Sequence, residues 1–256
     1  MECKVGEVNF TATTLHAAVE SIIASIGSQH SNNRYHFANA FNVALAQDDE
    51  NYRAVLNRST STFMDGVPVV AVARKVLKRS QSLTSESIGR VYGPDVMEAL
   101  LSSKASPPLK HYFLGGSEET LQALVTQVSS RWPQAQIVGS ASPPFSAPTQ
   151  RELEARDRAI EDSGANCVWI GLGTPKQDYE AQRITESLGV TTLSVGAAFD
   201  FLAGTKQQAP KWMQKGGLEW LFRLASEPRR MVKRYLWGNT QFLLITSRQL
   251  LRRSAA

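Results

Sequence analysis

The chain has 256 residues, with 42% apolar and 20% charged residues, enough to bury a core and ordinary for a globular protein. Its net charge of +5 sits at one end: from Lys211 onward ten Lys/Arg oppose Glu219 and Glu227, giving +8 and leaving −3 on the first 210 residues. That asymmetry argues against a nucleic-acid groove across the body and favours an anionic partner at the tail.

The N-terminus, MECKVGEVNF, has no apolar signal core, and the apolar run at 67–73 is too short to span a bilayer. A chain that is soluble, or lies on a membrane, is expected. The two cysteines, Cys3 and Cys167, have no disulfide or metal-ligand spacing. Cys167 lies in an apolar run and reads as a reduced core thiol, which suits a reducing compartment.

The first hundred residues read as α/β. Leu15–Ile26 is an amphipathic helix, 34–37 a strand and 42–57 a helix. Asp65-Gly66 precedes the apolar 67–73 run, and the serine-rich 79–88 segment reads as a loop. Beyond residue 110 the alternation is plainer. Strands are predicted at 111–115, 136–139, 167–171 and 191–197. Between them fall a helix capped by Ser117, a charged helix at 149–162, and one opened by Pro175. Such alternation implies parallel pairing. Ligands of such sheets sit at the carboxyl ends of the strands, here Gly115-Gly116, Gly139-Ser140, Gly171-Leu-Gly173 and Gly196-Ala197.

The tail from Gly216 to Asn239 sets five Arg/Lys among Trp220, Tyr235 and Trp237, with a break at Glu227-Pro228. Ser226 is expected to cap the helix after the break. Arg230 and Arg234 are four apart and share a helical face. Two short helices would let Arg223, Arg230 and Arg234 converge on a phosphate cluster, while a solvated basic face remains the plainer reading. Deleting 211–256 is expected to cost activity and membrane binding more than folding.

Other motifs carry chemistry less specifically. Asp65-Gly66 is a common turn pair, or a carboxylate at a pocket rim acting as a general base. Gly171-Leu-Gly-Thr174-Pro-Lys-Gln177-Asp178 matches neither the dinucleotide fingerprint nor the P-loop, but it can bring backbone and a helix N-terminus to an anion. No Asp-x-Asp pair occurs, and His16, His30, His36 and His111 lack ligand spacing, so no metal site is expected. No Gly-x-Ser-x-Gly elbow is present.

Together these blocks resemble the WecG/TagA/CpsF glycosyltransferases, glycosyltransferase family 26. The match rests on Asn39 and Asp65-Gly66-Val-Pro-Val-Val, Arg90-Val-Tyr-Gly-Pro-Asp95, the Gly171 to Asp178 block, and Val195-Gly-Ala-Ala-Phe-Asp200-Phe-Leu-Ala-Gly204. Gly217-Leu-Glu-Trp-Leu, Arg223-Leu, Glu227-Pro-Arg-Arg and Arg234-Tyr235 extend it through the tail. The resemblance implies a Rossmann-like parallel-sheet α/β body at 1–210 and a basic, aromatic helical appendage at 211–256 that binds membrane and acceptor. It implies inverting transfer from a UDP-sugar to a polyprenyl-diphosphate-linked sugar at the cytoplasmic membrane face. Asp65 matches the catalytic base. Asn39, Arg90, Thr174, Gln177 and Asp200 match substrate-binding positions, with Arg223, Arg230 and Arg234 near the lipid diphosphate. The implied partners are these two substrates and an anionic membrane surface, without nucleic acid or metal; a homo-oligomer also fits. Phe37 stands where many members have threonine, Gln208 where an arginine often precedes Ala-Pro, and Asp178 where glutamate is usual. These departures leave N-acetylmannosamine, a hexose and a uronic acid all open as donor sugars. A non-catalytic, membrane-associated binding protein on the same fold is the alternative, and an oxidoreductase a weaker one.

Overall fold

The computed structural model describes residues 1–26, 32–79, 88–144 and 146–252, without the side chains of Arg79 and Arg230. Residues 80–87 of the expected serine-rich loop lie outside the described residues. In chain order the elements begin with β1 (Glu2–Val5), β2 (Val8–Thr11), α1 (Leu15–Ile26), β3 (Arg34–Ala38), α2 (Ala40–Asp48), α3 (Glu50–Asn57), β4 (Ser61–Met64) and α4 (Val67–Arg79). They continue with α5 (Gly93–Leu101), β5 (Lys110–Gly115), α6 (Glu118–Arg131), β6 (Gln136–Ala141), α7 (Gln150–Ser163), β7 (Cys167–Gly171), α8 (Lys176–Leu188), β8 (Thr191–Ser194) and α9 (Ala198–Ala203). The last three are α10 (Lys211–Lys215), α11 (Glu219–Ser226) and α12 (Pro228–Arg252). The α/β, mostly parallel, Rossmann-like architecture is therefore present, with β1 antiparallel to β2.

The chain divides into two compact units. The first holds Met1–Leu15, Phe37–Tyr92 and Gln208–Ala256. Its β1–β2 hairpin alternates buried and outward residues, burying Cys3, Val5, Val8 and Phe10. β2 then pairs in parallel with β4, Thr11 opposite Phe63. The helix expected over 42–57 is two helices, because Asp49 ends α2 and caps α3, accepting from the Tyr52 amide at 2.9 Å. The β-branched run after Gly66 is the start of α4, where Pro68 falls in the first turn and costs no helical bond. Val69, Ala73, Val76 and Leu77 of α4 join Val5, Phe10, Tyr52 and Met64 in one core cluster.

The tail folds into this same unit. Phe242 of α12 is buried in that core cluster, and Met231 and Thr246 are buried as well. Gly238 lets α12 lie close on α2, since a Cβ there would come 2.9 Å from the Phe41 ring. The Gln249 carboxamide accepts from the Gly6 amide at 2.9 Å and donates to the Lys4 carbonyl at 2.8 Å, which ties the end of α12 to the hairpin. These contacts make α12 part of the first unit's core. Two corrections follow. α12 is one helix of 25 residues, not a short one. Ser226 closes α11, its hydroxyl donating to the Phe222 carbonyl at 2.9 Å, and does not cap α12.

The second unit holds His16–His36 and Gly93–Gln207. Its strands run β3-β8-β7-β5-β6, all parallel. Phe113 faces Trp169 across β5–β7, and Trp169 faces Leu193 across β7–β8. β5, β7 and β8 are buried on both faces; β5 and β7 accordingly read as largely apolar runs, while β8 reads Thr-Thr-Leu-Ser. Gly115 ends β5 at φ 125°, and a Cβ on it would lie 2.6 Å from the Gly171 carbonyl group, so the two strand ends approach this closely only with glycine at 115. β8 stops at Ser194, short of the expected 197, because the chain turns at Gly196 with φ 55°. Cys3 and Cys167 are both buried, and burial pushes the Cys167 thiol up. Among the described residues no helix is long and apolar enough to cross a membrane.

Candidate active site

In the first unit the ends of β3 and β4 bring Asn39 and Asp65 together. The Asp65 amide donates to the Ala38 carbonyl at 3.0 Å. A Cβ on Gly66 would come 3.3 Å from Asn39 Cβ, so the two turns are in contact. Asn39 is the N-cap of α2: its Oδ1 accepts from the Phe41 amide at 3.0 Å, while its own amide donates to Asn42 Oδ1 at 3.1 Å. Asp65 itself is half-buried on the loop that opens α4. Phe37, two residues before Asn39, is buried and packs on Phe63 with ring centroids 5.7 Å apart.

Arg90 clasps this loop. Its Nε donates to the Asp65 carbonyl, and its Nη2 donates to Glu219 Oε2 at 2.6 Å. The Tyr92 hydroxyl donates to Glu219 Oε1 at 2.8 Å and accepts from Gln208 Nε2 at 3.3 Å. The Arg90 guanidinium also lies over the Tyr92 ring, 3.7 Å from its centroid. Burial opposes the Arg90 charge, but Asp65 and Glu219 outweigh it and hold the guanidinium above its ordinary value. Burial, with Glu219 and Asp65 nearby, pushes the Tyr92 phenol up, so it stays a hydrogen-bond donor.

The tail arginines lie in the same unit. Arg234 of α12 stacks over the Phe41 ring, 4.2 Å from its centroid. Trp220 of α11 meets Tyr235 edge-to-face at 6.1 Å, and Phe41 meets Trp237 likewise at 5.9 Å. Burial raises the Tyr235 phenol, and the charges of Arg223 and Arg234 pull it the other way. The Arg230 side chain lies outside the described residues.

In the second unit Thr174, Gln177 and Asp200 follow β7 and β8. Gln177 is buried, and both ends of its amide bind backbone: Oε1 accepts from Gly173 N at 3.1 Å, and Nε2 donates to Ser194 O at 3.2 Å. It thus braces the glycine loop after β7 against the end of β8. Thr174 sits in that loop, half-buried. Asp200 opens α9 and accepts from Lys206 Nζ at 3.1 Å. Asp178, in the first turn of α8, is buried 2.9 Å from His36 Nδ1.

Sequence reasoning missed Glu219, Tyr92 and Lys206. Glu219 entered only as a charge in a basic tail, although a lone carboxylate in the Gly217-Leu-Glu-Trp block was itself a signal. Tyr92 lay inside the quoted Arg90 block without a role. Among the described residues no three His, Cys, Asp or Glu side chains gather as metal ligands would.

In a parallel α/β fold, polar loops at strand ends are where a ligand is held and acted on. A family model described as "Glycosyl transferase WecG/TagA/CpsF family" matches residues 3–256. The chain belongs to that family and is a glycosyltransferase.

Proposed function

We propose that this glycosyltransferase moves a sugar from a UDP-sugar to a polyprenyl-diphosphate-linked sugar, with inversion, in bacterial cell-surface polysaccharide synthesis. One observation supports this most: Asp65, on a strand-end loop beside Asn39, is clasped by the buried Arg90. Inversion takes a single displacement. It needs one base to receive the acceptor hydroxyl proton and no enzyme nucleophile. Asp65 is that base. The acceptor oxygen attacks the anomeric carbon, the bond to UDP breaks, and the proton passes to the Asp65 carboxylate.

Departing UDP carries growing negative charge, and arginines and helix N-termini are suited to balance it. Asn39, Thr174 and Asp200 are proposed as substrate-binding residues, and Gln177 acts by holding the Gly173 loop in place. Arg223, Arg230 and Arg234 are the residues proposed to bind the acceptor diphosphate, whose oxygens accept forked guanidinium bonds. The acceptor's lipid calls for a membrane-facing surface. Trp212, Leu236, Leu243 and Leu251 are 67%, 70%, 62% and 69% exposed, among basic residues of the tail. A surface of this kind gains about 1 kcal/mol per well-placed cation at an anionic bilayer. The reading places the protein peripherally at the inner face of the cell membrane.

The donor is an N-acetylmannosamine-type sugar, a hexose or a uronic acid. A screen of UDP-N-acetylmannosamine, UDP-glucose and UDP-glucuronate against synthetic polyprenyl-diphosphate monosaccharides tests the reading. UDP release that depends on both partners supports it. Binding without transfer across the whole panel would instead favour a non-catalytic binding protein on this fold.

A further inference from the structure

Glu219 is one of two acids in a tail that carries ten Lys/Arg. It opens α11, yet its side chain is only 15% exposed and turns inward. Both carboxylate oxygens are engaged, Oε2 by Arg90 at 2.6 Å and Oε1 by the Tyr92 hydroxyl at 2.8 Å. Arg90 is itself mostly buried and holds the Asp65 carbonyl through its Nε. A guanidinium is a rigid planar fork, so fixing one edge fixes the direction of the other. The clasp is closed on two more sides by the Tyr92 ring under Arg90 and by Gln208 on the Tyr92 hydroxyl. Gly217, which leads into α11, rests against Val67, whose helix follows Asp65-Gly66 directly. The first turn of α11 therefore touches the Asp65 loop by two separate routes.

We propose that Glu219 is a positioning residue: through Arg90 it holds the main chain of Asp65, so that the seating of α11 sets the placement of the Asp65 carboxylate. The tail helix and the base then form one mechanical unit. Loss of the Glu219 charge leaves Arg90 without its anionic anchor, and the guanidinium turns toward the remaining carboxylate, Asp65. Among the described residues, the charged and titratable groups around Asp65 and Glu219 include Arg90 and Tyr92 from the 88–92 segment and Tyr235 from α12, with Arg223, Glu227 and Arg234 acting on Tyr235 as well. The inference rests on Asp65 being the base, but its first test does not.

The test is amide hydrogen exchange on the full chain, read at Asp65, whose amide is bonded to the Ala38 carbonyl. Glu219→Gln keeps the shape and removes the charge. Exchange at Asp65 and over 219–226 is expected to quicken together, by about tenfold or more, with β5, β7 and β8 unchanged. Tyr92→Phe keeps the ring under Arg90 and removes one bond to Glu219, and a smaller change in the same direction is expected. Unchanged Asp65 exchange in both variants overturns the proposal, even if α11 frays. A second readout is UDP release with the donor that the wild-type chain turns over. Glu219→Gln is expected to lower kcat by up to about 100-fold with a smaller effect on KM, as for a misplaced catalytic group. If Asp65→Asn keeps full turnover, the base assignment fails while the exchange result still decides the positioning claim.

Discussion

The Arg234 guanidinium on α12 sits 4.2 Å from the ring centroid of Phe41 on α2, two residues past Asn39, whose carboxamide caps that helix. One cation thus joins the long tail helix to the turn that carries a candidate substrate residue. Exposed cation–π pairs contribute about 0.5–1 kcal/mol. A double-mutant cycle of Arg234→Gln and Phe41→Leu, followed by urea unfolding, is expected to give a coupling of that size. Arg234→Gln is also expected to weaken binding of a soluble polyprenyl-diphosphate analogue, while Phe41→Leu weakens it less.

The Gln177 brace makes a stability prediction. Gln177→Ala would leave the Gly173 amide and the Ser194 carbonyl without the partners they now have. A loss of roughly 2–3 kcal/mol is expected, read as a lower urea midpoint at constant slope. Gln177→Glu is expected to be worse than its size suggests, because it places a charge at a buried position.

His111 makes a prediction about pH. It is buried and accepts from the Trp169 indole at 3.0 Å through Nδ1, and burial lowers its pKa to about 4. The unfolded chain takes up this proton near its ordinary value of about 6.5, and the folded chain does so only near 4. The unfolded state therefore binds more protons in that window, and stability falls as pH drops from 6.5 toward 4, by up to about 3 kcal/mol. Above 6.5 the residue contributes no slope. His111→Gln is expected to flatten the curve between those limits in urea melts taken at a series of pH values.

Removal of divalent cations is expected to leave UDP-sugar turnover largely intact, because arginines and helix termini balance the leaving charge in the proposed mechanism. An assay in excess chelator checks this. Loss of activity that magnesium or manganese restores would contradict it.

Much of the second unit was legible in the sequence because parallel strands buried on both faces leave long apolar runs, as at Cys167–Gly171. The strands of the hairpin and Ser61–Met64 have four residues each, too few for alternation to stand out. The run after Gly66 is β-branched and looks like a strand, yet it is helical because its small apolar side chains face one packed core. In the tail the composition was clear but the connectivity was not. Gln249 bonds Lys4, 245 residues away in sequence, and Phe242 joins a core cluster whose other buried members lie between Cys3 and Ile88, which no local pattern announces. Asp65, Asn39 and Arg90 could be named from a family pattern. That Arg90 is shared between Asp65 and Glu219 became visible only when the chain was folded.

The central claim is that Asp65 takes the acceptor proton. The direct measurement compares Asp65→Asn with the wild-type chain for UDP release from donor plus lipid-diphosphate acceptor, with UDP binding followed by calorimetry on the same samples. The account predicts turnover lower by about 10²–10⁴-fold with UDP affinity and folding retained. Turnover close to wild type, with the acceptor consumed, would contradict it.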